Sequence, residues 1–76
     1  MKITVKLFAF FRQGRFKEEE HEYPEATLVS EVIEGLGIDV DEVGVTMINS
    51  RHCDLDTPLN ANDVLAIDVP PSRYDP

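Results

Sequence analysis

The chain has 76 residues, one cysteine and a formal net charge of −8. Its length allows a single domain, and a chain this short buries only about 60% of the surface that its unfolded form exposes. A lone cysteine forms no internal disulfide, which fits a reducing compartment, and no apolar run approaches the roughly 20 residues of a membrane span. We therefore expect a cytoplasmic protein without a membrane span or a signal segment.

The charge is unevenly distributed along the chain. Five of the seven basic residues lie in the first 17 positions, and all fifteen acidic residues follow them. Nucleic-acid binding depends on Lys and Arg that release counterions from phosphates, so we expect no nucleic-acid partner. An acidic body suits a basic protein surface, although the same charge also serves to keep a small protein soluble.

The first predicted element is a strand over residues 2–11, because its side chains alternate with period two. One side is apolar and consists of Ile3, Val5, Leu7, Ala9 and Phe11. The other side consists of Lys2, Thr4, Lys6, Phe8 and Phe10. Two aromatic side chains on an outward face indicate a partner site, unless loops of the protein itself cover them.

The second predicted strand spans residues 17–23 and follows a turn that includes Gly14. Its glutamates have low β-propensity and are typical of an edge strand, where charge discourages unwanted pairing. An amphipathic helix follows, with its apolar stripe on Leu28, Val29, Val32, Ile33 and Leu36. We expect Thr27 to cap its N-terminus and Gly37 to end it.

The remaining predicted elements are strands. Residues 45–48 form one, a hairpin turn follows at 49–52, and a brief strand lies at Cys53. The last strand covers residues 64–69, with Leu65, Ile67 and Val69 on its core side, and a turn precedes it. Asn62 in that turn is expected to adopt the left-handed conformation, which asparagine tolerates better than most residues. One helix that buries its stripe on one sheet face predicts a two-layer α+β domain.

No pattern in the sequence indicates catalysis. His52, Cys53 and Asp54 are of metal-ligating types, but neighbours on an extended chain point to opposite faces and no second ligand pair has the usual spacing. Cys53 has neither a charge partner nor a helix N-terminus to activate it, so a small buried hydrophobe is its expected role. The glycines form no phosphate-binding loop. We therefore expect no enzyme, no metal and no cofactor.

Residues 59–71 read Leu-x-x-Asn-Asp-Val-Leu-Ala-Ile-x-x-Pro-Pro, and the chain starts Lys2-Ile-Thr-Val-Lys-Leu-Phe-Ala. Both stretches resemble the small sulfur-carrier family, the MoaD/ThiS-like proteins that include the small subunit of molybdopterin synthase. The resemblance implies a ubiquitin-like β-grasp, in which one main helix packs on a mixed four- to five-stranded sheet. We expect this domain to span residues 1–71, with a flexible C-terminal tail at 72–76.

The tail departs from the family pattern. Family members end in Gly-Gly, whose carboxylate is adenylated by an activating enzyme before sulfur replaces AMP. This sequence has no adjacent glycines and reads Arg73-Tyr74-Asp75-Pro76 at the same place. A bulky ring and a proline suit a narrow channel poorly, whereas glycine accepts any backbone twist. No catalytic residue is therefore carried over.

The resemblance implies protein binding through the outward sheet face and the tail. The matching positions are Phe8, Phe10, Pro70, Pro71 and Tyr74. The expected partner is an activating-enzyme-like or synthase-large-subunit-like surface, in a molybdenum- or tungsten-pterin or related sulfur-transfer context. Without Gly-Gly, we do not expect a competent sulfur carrier. Two alternatives stay open: an atypical sulfur carrier activated at its C-terminus, and a general ubiquitin-like adaptor.

Overall fold

A computed structural model of the protein describes residues 1–69. The predicted tail at 72–76, the predicted domain end at residue 71 and the predicted site residues Pro70, Pro71 and Tyr74 lie outside the described residues. The regular elements in the described part are β1 (Lys2–Leu7), β2 (Glu18–Glu22), α1 (Val29–Gly35), β3 (Val45–Ile48), β4 (Arg51–His52) and β5 (Val64–Asp68). Short 3-10 turns lie at Ala9–Arg12 and Val40–Glu42. No helix within residues 1–69 is long and apolar enough to cross a bilayer.

The five strands form one mixed sheet in the order β2-β1-β5-β3-β4. The central pair, β1 and β5, is parallel, while β2, β3 and β4 each pair antiparallel with a neighbour. The first and last strands within residues 1–69 are therefore adjacent, and the glutamate-rich β2 lies at an edge, as predicted. This arrangement of one helix on a mixed sheet confirms the predicted ubiquitin-like β-grasp.

The core lies between α1 and one face of the sheet. Buried apolar side chains from the helix, the strands and the loops form a single cluster, which consists of Ile3, Val5, Leu7, Phe11, Val29, Val32, Ile33, Ile38, Leu59, Leu65, Ile67 and Val69. The alternation in β5 places Leu65, Ile67 and Val69 on this side as predicted. In a domain this small, the cluster supplies most of the hydrophobic stabilisation.

The first strand is shorter than the sequence pattern predicts. It ends at Leu7, because Ala9 adopts a positive φ of 54° and the chain turns into a 3-10 segment. The Nε–H of Arg12 donates to the carbonyl of Leu7 at 2.7 Å, which fixes this turn. Phe11 still reaches the core, but from the turn and not from a strand. The apolar alternation in the sequence therefore continues to Phe11, although the extended backbone of β1 ends at Leu7.

The N-terminus of the helix is capped differently from the prediction. Thr27 does not cap it, because its hydroxyl donates to the carbonyl of Pro24 at 2.7 Å. The helix begins at Val29, and the carboxylate of Glu31 accepts from the main-chain N–H of Leu28 at 2.9 Å. Carbonyls at residues 57 and 55 of a distant loop accept from the N–H groups of residues 29 and 30. The C-terminal prediction is confirmed, since Gly37 has a φ of +75°.

Two turns bring the last strands together. Asn49 and Ser50 both have positive φ and connect β3 directly to β4, so the brief strand begins at Arg51, two positions earlier than predicted, and Cys53 follows it. Asn62 has a φ of 70° in the turn before β5, which confirms its predicted left-handed conformation. The buried carboxylate of Asp63 joins the turns, because it accepts from the Asn49 side chain at 3.0 Å and from the Asn60 N–H at 2.8 Å.

Candidate docking surface

The sheet face opposite α1 contains a groove with an apolar floor. Its volume is about 240 Å³, and its lining consists of Lys6, Phe8, Val45, Met47, Ser50, Val64, Ala66 and Asp68. We call this feature the outer groove. The side chains of Val64, Ala66 and Met47 are half-buried, unlike those of the core beneath them. Apolar surface that remains partly accessible on a sheet face is the kind of surface that protein partners cover.

The register of three strands produces the groove. Ala66 lies opposite Lys6 on β1 and opposite Met47 on β3, so a small side chain stands between two long ones. The missing volume at Ala66 makes the hollow, and the thioether of Met47 is flexible enough to adapt to an irregular partner surface. Alternation along β5 sends Val64 and Ala66 outward while their neighbours point to the core.

Phe8 is the predicted site residue that belongs to the outer groove. Its main-chain N–H donates to the carbonyl of Ile67 at 3.1 Å, which holds its backbone against β5. The guanidinium of Arg12 lies 5.4 Å from the centre of its ring, within the range of a cation–π contact. Phe8 is half-buried, so its ring is available at the end of the groove.

Phe10 lies elsewhere, contrary to the prediction that the two aromatic residues share one strand face. It is 38% exposed, and the centre of its ring lies 4.8 Å from that of Phe11. It lines a separate hollow with Arg15, Gly37 and neighbouring residues of the loop that follows the helix. The reason is the 3-10 turn after β1, which ends the strict alternation between Phe8 and Phe10.

Arg15 holds this loop to the helix. Its guanidinium donates to the carbonyls of Leu36 at 3.0 Å, Gly37 at 3.1 Å and Phe11 at 3.3 Å. The first two carbonyls lie at the C-terminus of α1, where a cation is favoured by the helix dipole. The loop that carries Phe8 and Phe10 is therefore tied at Leu7 by one arginine and at the helix end by another.

Another hollow contains the polar residues of metal-ligating types, His52 and Cys53 among them. It is lined by Ile48, Asn49, Arg51, His52, Cys53, Thr57, Pro58, Asn60 and Asp63. Cys53 is half-buried and packs against the core, while Asp63 is occupied by the turn hydrogen bonds. Within residues 1–69 no three His, Cys, Asp or Glu side chains converge as metal ligands. Asp63 therefore stabilises the turns, and Cys53 packs on the core of this region.

Besides Phe8, the groove has four apolar strand residues that were not predicted as site residues: Val45, Met47, Val64 and Ala66. The signal that finds them is present in β5, where apolar residues occupy both the inward and the outward positions. A strand with only one buried face has polar residues at the outward positions. Apolar residues on both sides of β5 therefore indicate a second surface to be covered.

The comparisons with known proteins agree with this geometry. The sequence profile of the ThiS family matches residues 5–71. One similar structure comes from Pyrococcus furiosus and is described as molybdopterin converting factor subunit 1. Its TM-score is 0.75 at 32% identity, and the match covers 92% of this chain and 98% of that one. A search of curated proteins gave no match.

Two further structures show the same fold at lower identity. Small archaeal modifier protein 1 from Haloferax volcanii has a TM-score of 0.73 at 19% identity, over 95% of this chain and 98% of that one. A chain from the complex of subunits 1 and 2 of molybdopterin-converting factor from Helicobacter pylori has a TM-score of 0.65 at 19% identity, over 92% and 95%. Because the family profile spans most of its length, the chain belongs to the ThiS family of small sulfur-carrier proteins, which are not themselves enzymes.

Proposed function

We propose that the chain is a protein-interaction partner in a molybdenum- or tungsten-pterin or related sulfur-transfer context, and that its outer groove docks on a large-subunit-like surface. The groove carries the proposal, since it offers half-buried apolar side chains around the small Ala66. The complex of subunits 1 and 2 from Helicobacter pylori supports it, because a chain of that complex shares this fold. Phe8 extends the groove at one end, and Lys6 and Asp68 provide charges at its rim.

The experiment is a direct binding measurement. The purified protein is titrated by calorimetry with a molybdopterin converting factor large subunit. Ala66→Arg fills the hollow with a charged side chain, and Ala61→Arg makes the same change on an exposed turn residue. We expect the first variant to lose at least about tenfold in affinity and the second to bind like the native protein. Equal binding by both variants, each checked for native folding, contradicts docking through the groove.

We further propose that this 76-residue chain is not a competent sulfur carrier. The support is chemical: Asp75 and Pro76 stand where family members have Gly-Gly, and no adjacent glycines occur elsewhere. Incubation with ATP, a sulfur donor and a family activating enzyme should leave its mass unchanged. Replacement of Arg73-Tyr74-Asp75-Pro76 by a Gly-Gly ending should restore activation. A native-chain mass change that matches sulfur in place of one carboxylate oxygen overturns the proposal.

The second candidate is an atypical sulfur carrier, which family membership supports. The mass change described above would be its direct signature. The general ubiquitin-like adaptor is the third. It gains support if the large subunit shows no binding and the Gly-Gly variant is not activated, because both failures indicate a docking face that differs from the family's.

A further inference from the structure

Strand β2 leaves one side of the sheet open within the described residues. It pairs with β1, and no strand of residues 1–69 pairs with its other side. The main-chain N–H of Tyr23 donates to Met1 and that of Leu7 donates to Lys17, each at 2.9 Å. Because bonding alternates along an antiparallel pair, the odd-numbered residues of β2 bond to β1. The main-chain N–H and C=O groups of residues 18, 20 and 22 therefore point away from the sheet.

The same three positions carry a row of carboxylates. Glu18, Glu20 and Glu22 are exposed and lie opposite Lys6, Thr4 and Lys2, on the outer face of the sheet. Two of them have weak surface ion pairs, from Glu18 to Lys6 at 3.9 Å and from Glu22 to the N-terminal amine at 3.6 Å. Exposed pairs of this kind contribute little, so all three carboxylates are available to a strongly basic partner.

The helix side of β2 has a different chemistry. His21 stands between two aromatic rings, with ring centres 5.1 Å from Phe16 and 6.2 Å from Tyr23. All three side chains are half-buried, so they offer a partly accessible aromatic row beside the open edge, next to the exposed Glu19, whose carboxylate lies 3.1 Å from Nε2 of His21. A strand added to this edge would place alternate side chains against the carboxylates and against the rings.

We propose that the open edge of β2 binds an extended segment of a partner protein in which Lys or Arg alternates with apolar residues. Main-chain groups of Glu18, Glu20 and Glu22 would pair with the added strand, as in other cases of strand addition. Basic side chains would lie opposite the carboxylates, and apolar ones would cover the aromatic row. A second copy of the chain is a poor occupant, since its own β2 would oppose glutamate to glutamate. This surface is distinct from the outer groove.

The test uses the peptide acetyl-Gly-Lys-Val-Arg-Val-Lys-Gly-amide and the ¹⁵N-labelled full chain. We expect saturable changes in the amide signals of β2, together with slower hydrogen exchange at residues 18, 20 and 22. Residues 19 and 21 already donate to β1, so their exchange should change little. This alternating pattern distinguishes strand addition from diffuse charge attraction. Absence of binding, or changes without alternation, overturns the proposal.

Matched controls separate the charge attraction from the main-chain hydrogen bonds of the added strand. Glu20→Lys should weaken peptide binding by about fivefold, because it replaces an attraction by a repulsion at the centre of the row. Glu34→Lys makes the same charge change on α1 and should have a much smaller effect. A peptide that is methylated on the main-chain nitrogens of its Lys and Arg residues keeps its charge but lacks the N–H donors of those residues, and it should not bind. Equal binding by that peptide contradicts strand addition. Slower hydrogen exchange in β2 at higher concentrations of the free protein also contradicts the proposal, because it would identify a second copy of the chain as the occupant.

Discussion

The two faces of the sheet both carry apolar side chains but differ in accessibility. On the inner face, Leu65 and Ile67 have no exposed surface, because α1 covers them. On the outer face, Val64 and Ala66 alternate with them along the same strand, yet they are half-buried and line an open groove. Strand geometry thus fixes the direction of a side chain. Whether that side chain stabilises the fold or remains accessible to a partner depends on whether another element, such as α1, packs on that face.

The largest effect is expected from the inner face. Ile33→Ala should lower the free energy of unfolding by about 2–5 kcal/mol, because it opens a cavity between α1 and the sheet. That loss is a large part of the stability of a small domain. Urea denaturation followed by circular dichroism measures it, and Ile33→Val should cost only about 0.5–1.5 kcal/mol. An unchanged denaturation midpoint for the alanine variant would contradict the packing described for the helix.

On the outer face, the expected result is reversed. Met47→Ser should lower the free energy of unfolding by about 1 kcal/mol or less, because the side chain is only half-buried. It should nevertheless weaken binding to the large subunit by about tenfold if the groove docks there. The same calorimetric and denaturation assays measure both effects. A strong loss of stability with unchanged affinity would make the outer face part of the core.

The two phenylalanines sharpen the comparison further. Phe8→Ser should weaken binding to the large subunit by several-fold, since Phe8 lines the groove, whereas Phe10→Ser should have a smaller effect from its separate hollow. Side-by-side titrations of the two variants decide this. A larger effect of Phe10→Ser would extend the docking surface around the loop to the end of the helix.

The smallest effect concerns Tyr23 at the edge of the inner face. Burial raises the pKa of Tyr23 above its ordinary value of 10.0, so the folded state favours the neutral phenol. Its contribution is fully present below about pH 10 and is lost as pH rises through the higher folded-state pKa. Thermal melts across this alkaline range should therefore show a shallower decline for Tyr23→Phe than for the native chain. Identical profiles would exclude Tyr23 as a source of the alkaline loss.

Local patterns predicted much of the fold, because they act through neighbouring residues. The helix stripe, the core side of β5 and the left-handed turns at Gly37 and Asn62 each depend on spacing or on one residue's backbone freedom. The cap of α1 was not predictable in this way, since carbonyls from residues 55 and 57 supply part of it. The groove was missed for a related reason: Ala66 forms a hollow only once β1 and β3 stand on either side of it.

The position of β5 has a consequence for how the protein is made. Among the strands within residues 1–69, the one at the centre of the sheet is the last to be synthesised, and its partner β1 is the first. Until residues 64–69 have left the ribosome, β1 and β3 have no strand between them and the core lacks Leu65 and Ile67. The β1–β2 hairpin and α1 are local and can form earlier, but the native sheet requires closure of a loop of more than fifty residues. Nascent chains should therefore expose their apolar surface to chaperones until residues 64–69 have emerged from the ribosome.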